Sequence, residues 1–454
     1  MKILVEKRQK LLMVGICLAL FILYFPVISN DYAFSDDWVR INQILTNKLQ
    51  WGQLEIQTGR PLYGLLLSLS NFFIRDSSDL AYFRFIYVIG LIIFCYLFYK
   101  FLTARKIFGS QYYLNLLIPL TICTSSPLYL HGAWFVCFPY VLSLIFSLIS
   151  YEMASSDECS LPRVVFSILF LISSFAIYQT SAMIFLLFLA LDELGVKNKG
   201  DKTSLRKIVI CFLILGISML AALAMVKLLP SLVGLTETKR SNLDFNFFKS
   251  IYWFIVDGLP FFLRSLFMKN ISSSMVFIVY SLLLILLAIC VKRIKIYFLL
   301  IFLFVFSFFP QLANSEKWLA IRSSLLPLSF LIIFIYYIIS KMPNKICSIL
   351  ISCFFCISIC FHTEFVFNEN FIKVTKQDFE ELSAMVKNKK KNCITVDLYD
   401  RKYAIGNFQI SDEIGIRSSA IEWAIPGMLR ELGKEPSNSK DSMNCVVILQ
   451  KEIR

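Results

Sequence analysis

Long apolar runs recur along this chain, at about 11–28, 82–104, 111–130, 133–151, 163–191, 206–230, 272–291, 296–312, 319–340 and 346–362. A helix that crosses a bilayer needs about 20 such residues, because each rises ~1.5 Å through ~30 Å of hydrocarbon. Lipid offers no partner for backbone N–H and C=O groups, so spanning segments of this kind are restricted to helices. Composition agrees: of 454 residues 57% are hydrophobic, 44 are Phe and only 17% are charged. A soluble domain is about a quarter charged. The sequence therefore predicts an all-α polytopic membrane protein.

The net charge of +14 resides in short basic clusters between the runs. There it sets topology and attracts anionic lipid head groups or phosphate-linked substrates. No compact basic stripe with interleaved aromatics lies outside the spans, so nucleic acid is not an expected partner. Lys2, Lys7, Arg8 and Lys10 precede the first run and predict a cytoplasmic N-terminus. No A-x-A-like site follows, so that run is expected to stay as an uncleaved span in a bacterial inner membrane. Residues 29 to about 80 then lie outside, with Pro61–Ile74 as a helix on the membrane surface.

One run conflicts with this count. A single span over 163–191 would put Lys197, Lys199, Lys202, Arg206 and Lys207 on the wrong side. Polar Tyr178-Gln179-Thr180-Ser181 interrupts it, so we read it as two half-helices that meet at that tip and return. Nine full spans plus this re-entrant pair follow, with a second surface helix near 247–268. Membrane lipids are the general partner. Residues 1–362 form the transmembrane domain and 363–454 a small periplasmic α/β domain, with the C-terminus periplasmic. In that tail Cys393–Leu398 and Cys445–Leu449 read as strands, and Ile421–Leu432 as a helix ended by Gly433. Cys393 and Cys445 each open a strand and are either disulfide-bonded or buried free thiols. Cys353 and Cys356, a lone C-x-x-C inside a span, read as helix packing.

The first outer loop carries the densest chemistry: Asp31-Tyr32-Ala33-Phe34-Ser35-Asp36-Asp37-Trp38, then Gly59-Arg60-Pro61-Leu62. Adjacent carboxylates repel, so one is expected to hold its proton more tightly and suit proton acceptance. They also offer a position for a divalent cation. Arg60 has the planar fork that matches phosphate. Ser35, Asp36 or Asp37 would serve equally well as the cap of a helix through Val39–Leu45.

The order of these features, D-D-W after the first span, G-R-P-L entering a surface helix, and Y-Q-T at a mid-membrane break, resembles the serotype-converting O-antigen glucosyltransferases. These are phage-encoded polytopic enzymes of the GT-C superfamily. The similarity covers about 11–362 and rests on order and membrane placement. It implies a GT-C-like fold and transfer of a sugar, glucose by the family's common donor, from undecaprenyl phosphate to lipid-linked O-antigen at the periplasmic face. Asp36 or Asp37 then matches the first-loop acid, and Arg60 the donor-phosphate arginine. No cofactor beyond that optional cation is implied.

Other residues carry weaker signals. Tyr178 and Gln179 at the tip are polar at depth, where polar groups are costly and often functional. Glu316, Lys317 and Arg322 crowd one loop mouth, where a cation would neutralise a leaving phosphate. His131 at a loop tip offers acid–base chemistry, and Trp38 lies beside the acid pair. Arg264 and Asp257 fit phosphate binding or plain interfacial roles. Two rival functions use the same lipid-linked substrates, an O-antigen polymerase and a lipid-linked sugar flippase. A flippase would set charges deep in several spans, and a polymerase would carry larger arginine-rich loops. A non-enzymatic anchor would need neither the break nor the charged loops.

Overall fold

The computed structural model describes residues 2–46, 52–109, 111–156, 160–195, 202–235, 242, 244, 246–267, 271–291, 293–315, 317–387, 393–397, 417–436 and 446–449. Helix follows helix throughout: α1 (Lys2–Ser29), α2 (Asp36–Leu45), α3 (Gln53–Gln57), α4 (Pro61–Ser70) and α5 (Leu80–Arg105). Pro61 opens α4 at the position where its missing N–H costs nothing. Next come α6 (Tyr112–Cys123) and α7 (Ser126–Ala133), which meet at 50°. The bend falls at Thr124-Ser125, just before Pro127 in the first turn of α7.

α8 (Tyr140–Ala154) and α9 (Leu161–Ile177) lie against each other along a ladder of serines. Ser150 bonds Ser167 at 3.0 Å, Ser147 bonds Ser174 at 2.8 Å, and Ser143 bonds Ser174 at 2.7 Å. At Tyr178 the backbone turns extended (φ −155, ψ 112), which ends α9. The chain then doubles back through α10 (Gln179–Ala182) and α11 (Phe185–Gly195). Asp192 of α11 accepts hydrogen bonds from Tyr151 at 2.8 Å and Arg105 at 3.1 Å, and pairs with Lys207. Arg105 also donates to Ser155 at 2.5 Å, beside the start of α9. Arg105 thus ties Ser155, just before α9, to Asp192 near the end of α11, and the backbone breaks at Tyr178 between these apolar helices.

α12 (Lys202–Leu232) leads to α13 (Phe247–Trp253), a π-turn at Phe254–Gly258, and α14 (Leu259–Phe267). Then follow α15 (Ser273–Val291), α16 (Ile294–Phe306), α17 (Phe309–Ala313) and α18 (Leu325–Ser340). Among the described residues six helices are long and apolar enough to cross a membrane, seven if the bent pair α6–α7 is one span. Nine spans are expected from the runs. Those at 11–28, 296–312 and 319–340 contribute only shorter apolar helices, Met13–Ser29, Ile294–Phe306 and Leu325–Ser340. The second is cut at Ser307-Phe308 before Pro310, and the third begins with an extended stretch before α18. The stretch Phe248–Phe267, expected on the surface, meets the same length test. The outward faces are bare of polar cover: Leu205, Val209, Leu213 and Ile217 on α12, and Ile278, Leu282, Ile285 and Ile289 on α15, are all exposed. Such continuous apolar faces suit lipid as the surrounding medium.

α19 (Lys345–Phe367) continues through a π-turn at Asn368–Ile372 into α20 (Lys373–Lys387). The expected boundary at residue 362 therefore falls inside one 43-residue helix. Neither Gly nor Pro interrupts Lys345–Lys387, so nothing in the local sequence ends it. Beyond it, strand β1 (Cys393–Asp397) pairs in parallel with β2 (Glu435–Pro436) and β3 (Val446–Leu449), in the order β2-β1-β3. A Cys393–Cys445 bond concerns side chains outside the described residues.

α21 (Ile425–Glu431) packs on α2, and Gly433 follows it with φ +68. The contact is made through Gly427, where a Cβ would sit 2.0 Å from the Trp38 carbonyl oxygen. Trp38 stacks on Phe379 of α20 at 4.8 Å, and Ser77 donates to Glu431 at 2.9 Å. The first loop is thus enclosed by residues far along the chain. Gly427→Ala is expected to force α21 off α2, at a cost of about 1–3 kcal/mol. Limited proteolysis of the full-length protein in detergent should then cleave within 417–436 faster than in wild type.

Candidate functional site

The loop from Asn30 to Ser35 brings α2 back over the end of the bundle, and its two acids part company there. Asp37, in the first turn of α2, is fully buried. Its Oδ2 accepts the Phe34 N–H and its Oδ1 the Val136 N–H, each at 3.1 Å. It fastens the first loop to the turn after α7. Arg84, equally buried, lies with its guanidinium 3.7 Å from the centre of the Tyr32 ring and donates to the Tyr32 carbonyl. Burial lifts the Asp37 carboxyl from the usual carboxylate range to about 7, against Arg84 and the two amide bonds, and the neighbouring Asp36 charge adds to the rise.

Asp36 is half-exposed, and its Oδ1 accepts the indole N–H of Trp423 at 3.2 Å. Both oxygens of Asp37 are thus held by backbone amides, while Asp36 turns to Trp423. No group of three or more His, Cys, Asp or Glu side chains that could hold a metal gathers among the described residues. Trp38 is buried against α20 rather than lining a cavity with Asp36.

Arg60, His131, Tyr178, Gln179 and Arg322 converge. Arg60 is half-buried, donates from Nε to Thr58 Oγ1 at 3.0 Å, and holds its guanidinium 5.4 Å from the Tyr63 ring centre. Tyr140, Tyr178 and Glu55 are within its electrostatic reach. It makes no ion pair among the described residues, because Glu55 pairs with Arg40. Gly59 has φ +71, and a Cβ there would meet Val226 at 2.2 Å, so the G-R-P loop closes against α12 only with glycine. Gln179 reaches the same loop, donating to the Thr58 carbonyl at 3.2 Å.

Tyr178 stacks flat on Tyr140, with centroids 3.9 Å apart and planes 4° apart. His131 meets both rings edge-on, at 5.1 Å from Tyr140 and 6.1 Å from Tyr178. It is buried within α7 rather than exposed at a loop tip, because α6 and α7 turn before the end of the bundle. Its Nε2 lies 3.1 Å from the Arg322 carbonyl oxygen, and its Nδ1 has no partner among the described residues. The Arg322 guanidinium lies over Trp134 at 4.5 Å and Trp318 at 4.8 Å, and its charge reaches Tyr178. Phe34 of the acid loop packs edge-on to Trp134 at 5.2 Å, joining the two halves of the region.

The structure therefore gathers Arg60, His131, Tyr178, Gln179 and Arg322 from four separate stretches of sequence. It adds Tyr63, Tyr140, Trp134 and Trp318, which sequence reasoning passed over because single aromatics in an aromatic-rich chain carry no signal. Lys317 lies apart, donating to Ser250 Oγ at 2.8 Å and to the Leu312 carbonyl at 2.7 Å, where it joins α13 to α17. Arg264 donates to the Ile271 carbonyl at 3.0 Å and Asp257 is exposed. Glu316 lies outside the described residues. Two guanidinium groups set against aromatic faces suit an anionic group joined to a ring-shaped, partly apolar body, as in a sugar phosphate. The chain matches no family model and no curated protein.

Asp37 makes a pH-dependent contribution whose sign follows from its raised value. In the unfolded chain the carboxyl loses its proton near the ordinary 3.8, in the folded chain only near 7. Its contribution is full below the lower value and is lost as pH rises towards the upper one. Thermal unfolding of the purified protein should show wild type losing stability between those pH values relative to Asp37→Asn, with a constant difference above them.

Proposed function

We propose that this chain is an inverting glycosyltransferase. It moves a sugar, glucose by the resemblance, from undecaprenyl phosphate to lipid-linked O-antigen at the periplasmic face of a bacterial inner membrane. The observation that carries this reading is the meeting of Arg60, the Tyr178-Gln179 tip and Arg322 beside the loop that bears Asp36. Phosphate needs donors and positive charge, and a sugar ring needs aromatic faces and a nearby base. The two arginines and the aromatic faces stand together, and Asp36 lies two residues from Phe34, whose ring packs on the Trp134 that Arg322 covers.

Asp36 is the base in this reading, since Asp37 is fully engaged in holding the loop. The acceptor hydroxyl gives its proton to the Asp36 carboxylate as its oxygen bonds to the anomeric carbon. The bond from that carbon to the phosphate oxygen breaks, and its electron pair leaves with the phosphate. Arg60 and Arg322 match the charge that develops there. One displacement inverts the anomeric centre, and a phosphate monoester leaves without needing a proton. The polyprenyl chain remains in lipid along the apolar flanks.

A positioned general base contributes about 10²–10⁴-fold, so Asp36→Asn should lower transfer by at least about 100-fold. Arg60→Ala should do the same, and Arg60→Lys should recover part of the rate, because it restores charge without the fork. The readout is compositional analysis of the host's lipopolysaccharide together with protein level in the membrane. Unchanged O-antigen modification by Asp36→Asn at normal protein level would remove the assigned base.

A further inference from the structure

Trp423 has a setting that the transfer chemistry above does not use. It stands in the turn before α21 and is 54% exposed, although the region around it is tightly fixed. Ser418, five residues earlier, accepts the Ser35 N–H through its Oγ at 3.1 Å. Gly427, four residues later, rests on the backbone of Trp38. Ser419 is held by buried Asp378, which accepts its N–H at 2.9 Å. An indole mounted this firmly is exposed by construction, since its neighbours on both sides are anchored.

The indole is also aimed. Its N–H points to Asp36 Oδ1 at 3.2 Å, which turns the edge of the ring to the carboxylate. Among the described residues no ring and no cation covers its faces. On Asp36, both bonds fall on Oδ1, from Trp423 and more weakly from Ser35 at 3.5 Å, so Oδ2 accepts nothing among the described residues. A flat exposed aromatic face beside an open carboxylate oxygen is suited to a neutral pyranose. Its C–H face covers the indole while a hydroxyl donates to the carboxylate. The carboxylate repels a phosphate, so the donor's charged group belongs at Arg60 and Arg322 instead.

We propose that Trp423 and Asp36 form the acceptor subsite, in which the indole carries a neutral sugar ring of the acceptor saccharide and Oδ2 receives the hydroxyl to be glycosylated. This rests on the glycosyltransferase reading above. Trp423 is then a residue of the tail that sets acceptor affinity at a base supplied by the first loop.

The test uses the full-length protein in detergent with undecaprenyl-phosphate-glucose as donor and the host's lipid-linked O-antigen as acceptor. Binding of O-polysaccharide released from the host's lipopolysaccharide is followed separately by saturation-transfer NMR. Trp423→Ala should raise KM for the acceptor by about ten-fold or more while leaving KM for the donor within about two-fold, as for a lost contact to the acceptor alone. Trp423→Phe, which keeps a ring face, should recover most of the affinity. Polysaccharide binding should follow the same order, lost in Trp423→Ala and kept in Trp423→Phe. Unchanged acceptor KM in Trp423→Ala overturns the subsite, as does wild-type protein that binds no polysaccharide. Equal losses in Trp423→Ala and Trp423→Phe together with faster cleavage at 417–436 would mean that Trp423 only anchors the tail, which also overturns it. If instead Asp36→Asn transfers sugar as fast as wild type, the assigned base fails, and the binding series alone decides the subsite.

Discussion

A helix that stops halfway through an apolar bundle leaves carbonyls without partners, and in lipid each orphan costs several kcal/mol. The serines between α8 and α9 answer that problem. Ser143 Oγ donates to the Tyr178 carbonyl at 3.3 Å and Ser147 Oγ to the Ala182 carbonyl at 3.0 Å, both at the break itself. Ser150 and Ser167 donate to each other's carbonyls, each at 2.8 Å, lower down. Small side chains let the two backbones approach, and each hydroxyl bond between membrane helices is worth about 0.6 kcal/mol, ~1.7 at most. Several together fix the depth and direction of the turn. Tyr178 and Gln179 stand where they do because this seam is polar on the inside.

The neighbouring acids show how one residue of offset divides two tasks. Successive helical residues point about 100° apart, so Asp37 faces the bundle while Asp36 faces outward. Inward, two N–H groups and the nearby Arg84 offset part of the cost of burying the Asp37 carboxyl, and burial still tightens its hold on the proton. Outward, Asp36 is half-exposed, and its Oδ2 accepts no hydrogen bond among the described residues. The acid that holds the loop is thereby separate from the acid free to meet a ligand.

The helical character and most span positions were legible from apolar run length alone, since lipid imposes that length. The break at Tyr178 was legible because a basic loop on the wrong side conflicts with an uninterrupted span. Arg60 and Arg322 were legible as cations near loop mouths, although nothing local says that one lies near the other. That closeness depends on how α4, α7 and the stretch before α18 pack. The buried position of His131 was not legible, because it depends on the 50° bend of α6 against α7. The role of Lys317 was hidden for the same reason: its partners are the side chain of Ser250 and a carbonyl on α17. The serine ladder was present as Ser143, Ser147 and Ser150 at helical spacing, opposite Ser167 and Ser174, and its meaning required knowing which helices touch. Trp423 carried no signal, since its partner lies 387 positions away.

The unbroken helix from Lys345 to Lys387 has a mechanical consequence. At about 1.5 Å per residue its 43 residues form a rod roughly 65 Å long. One part is embedded among α6, α14 and α18, and the other is clasped to the first loop through Phe371 and Phe379. A rod of that length acts as a lever arm. A tilt of about five degrees at the embedded part sweeps the far tip through roughly 6 Å, about one helical turn. Because Phe371 and Phe379 hold the far part to Phe34 and Trp38, any such tilt is passed to the first loop itself rather than opening a gap beside it.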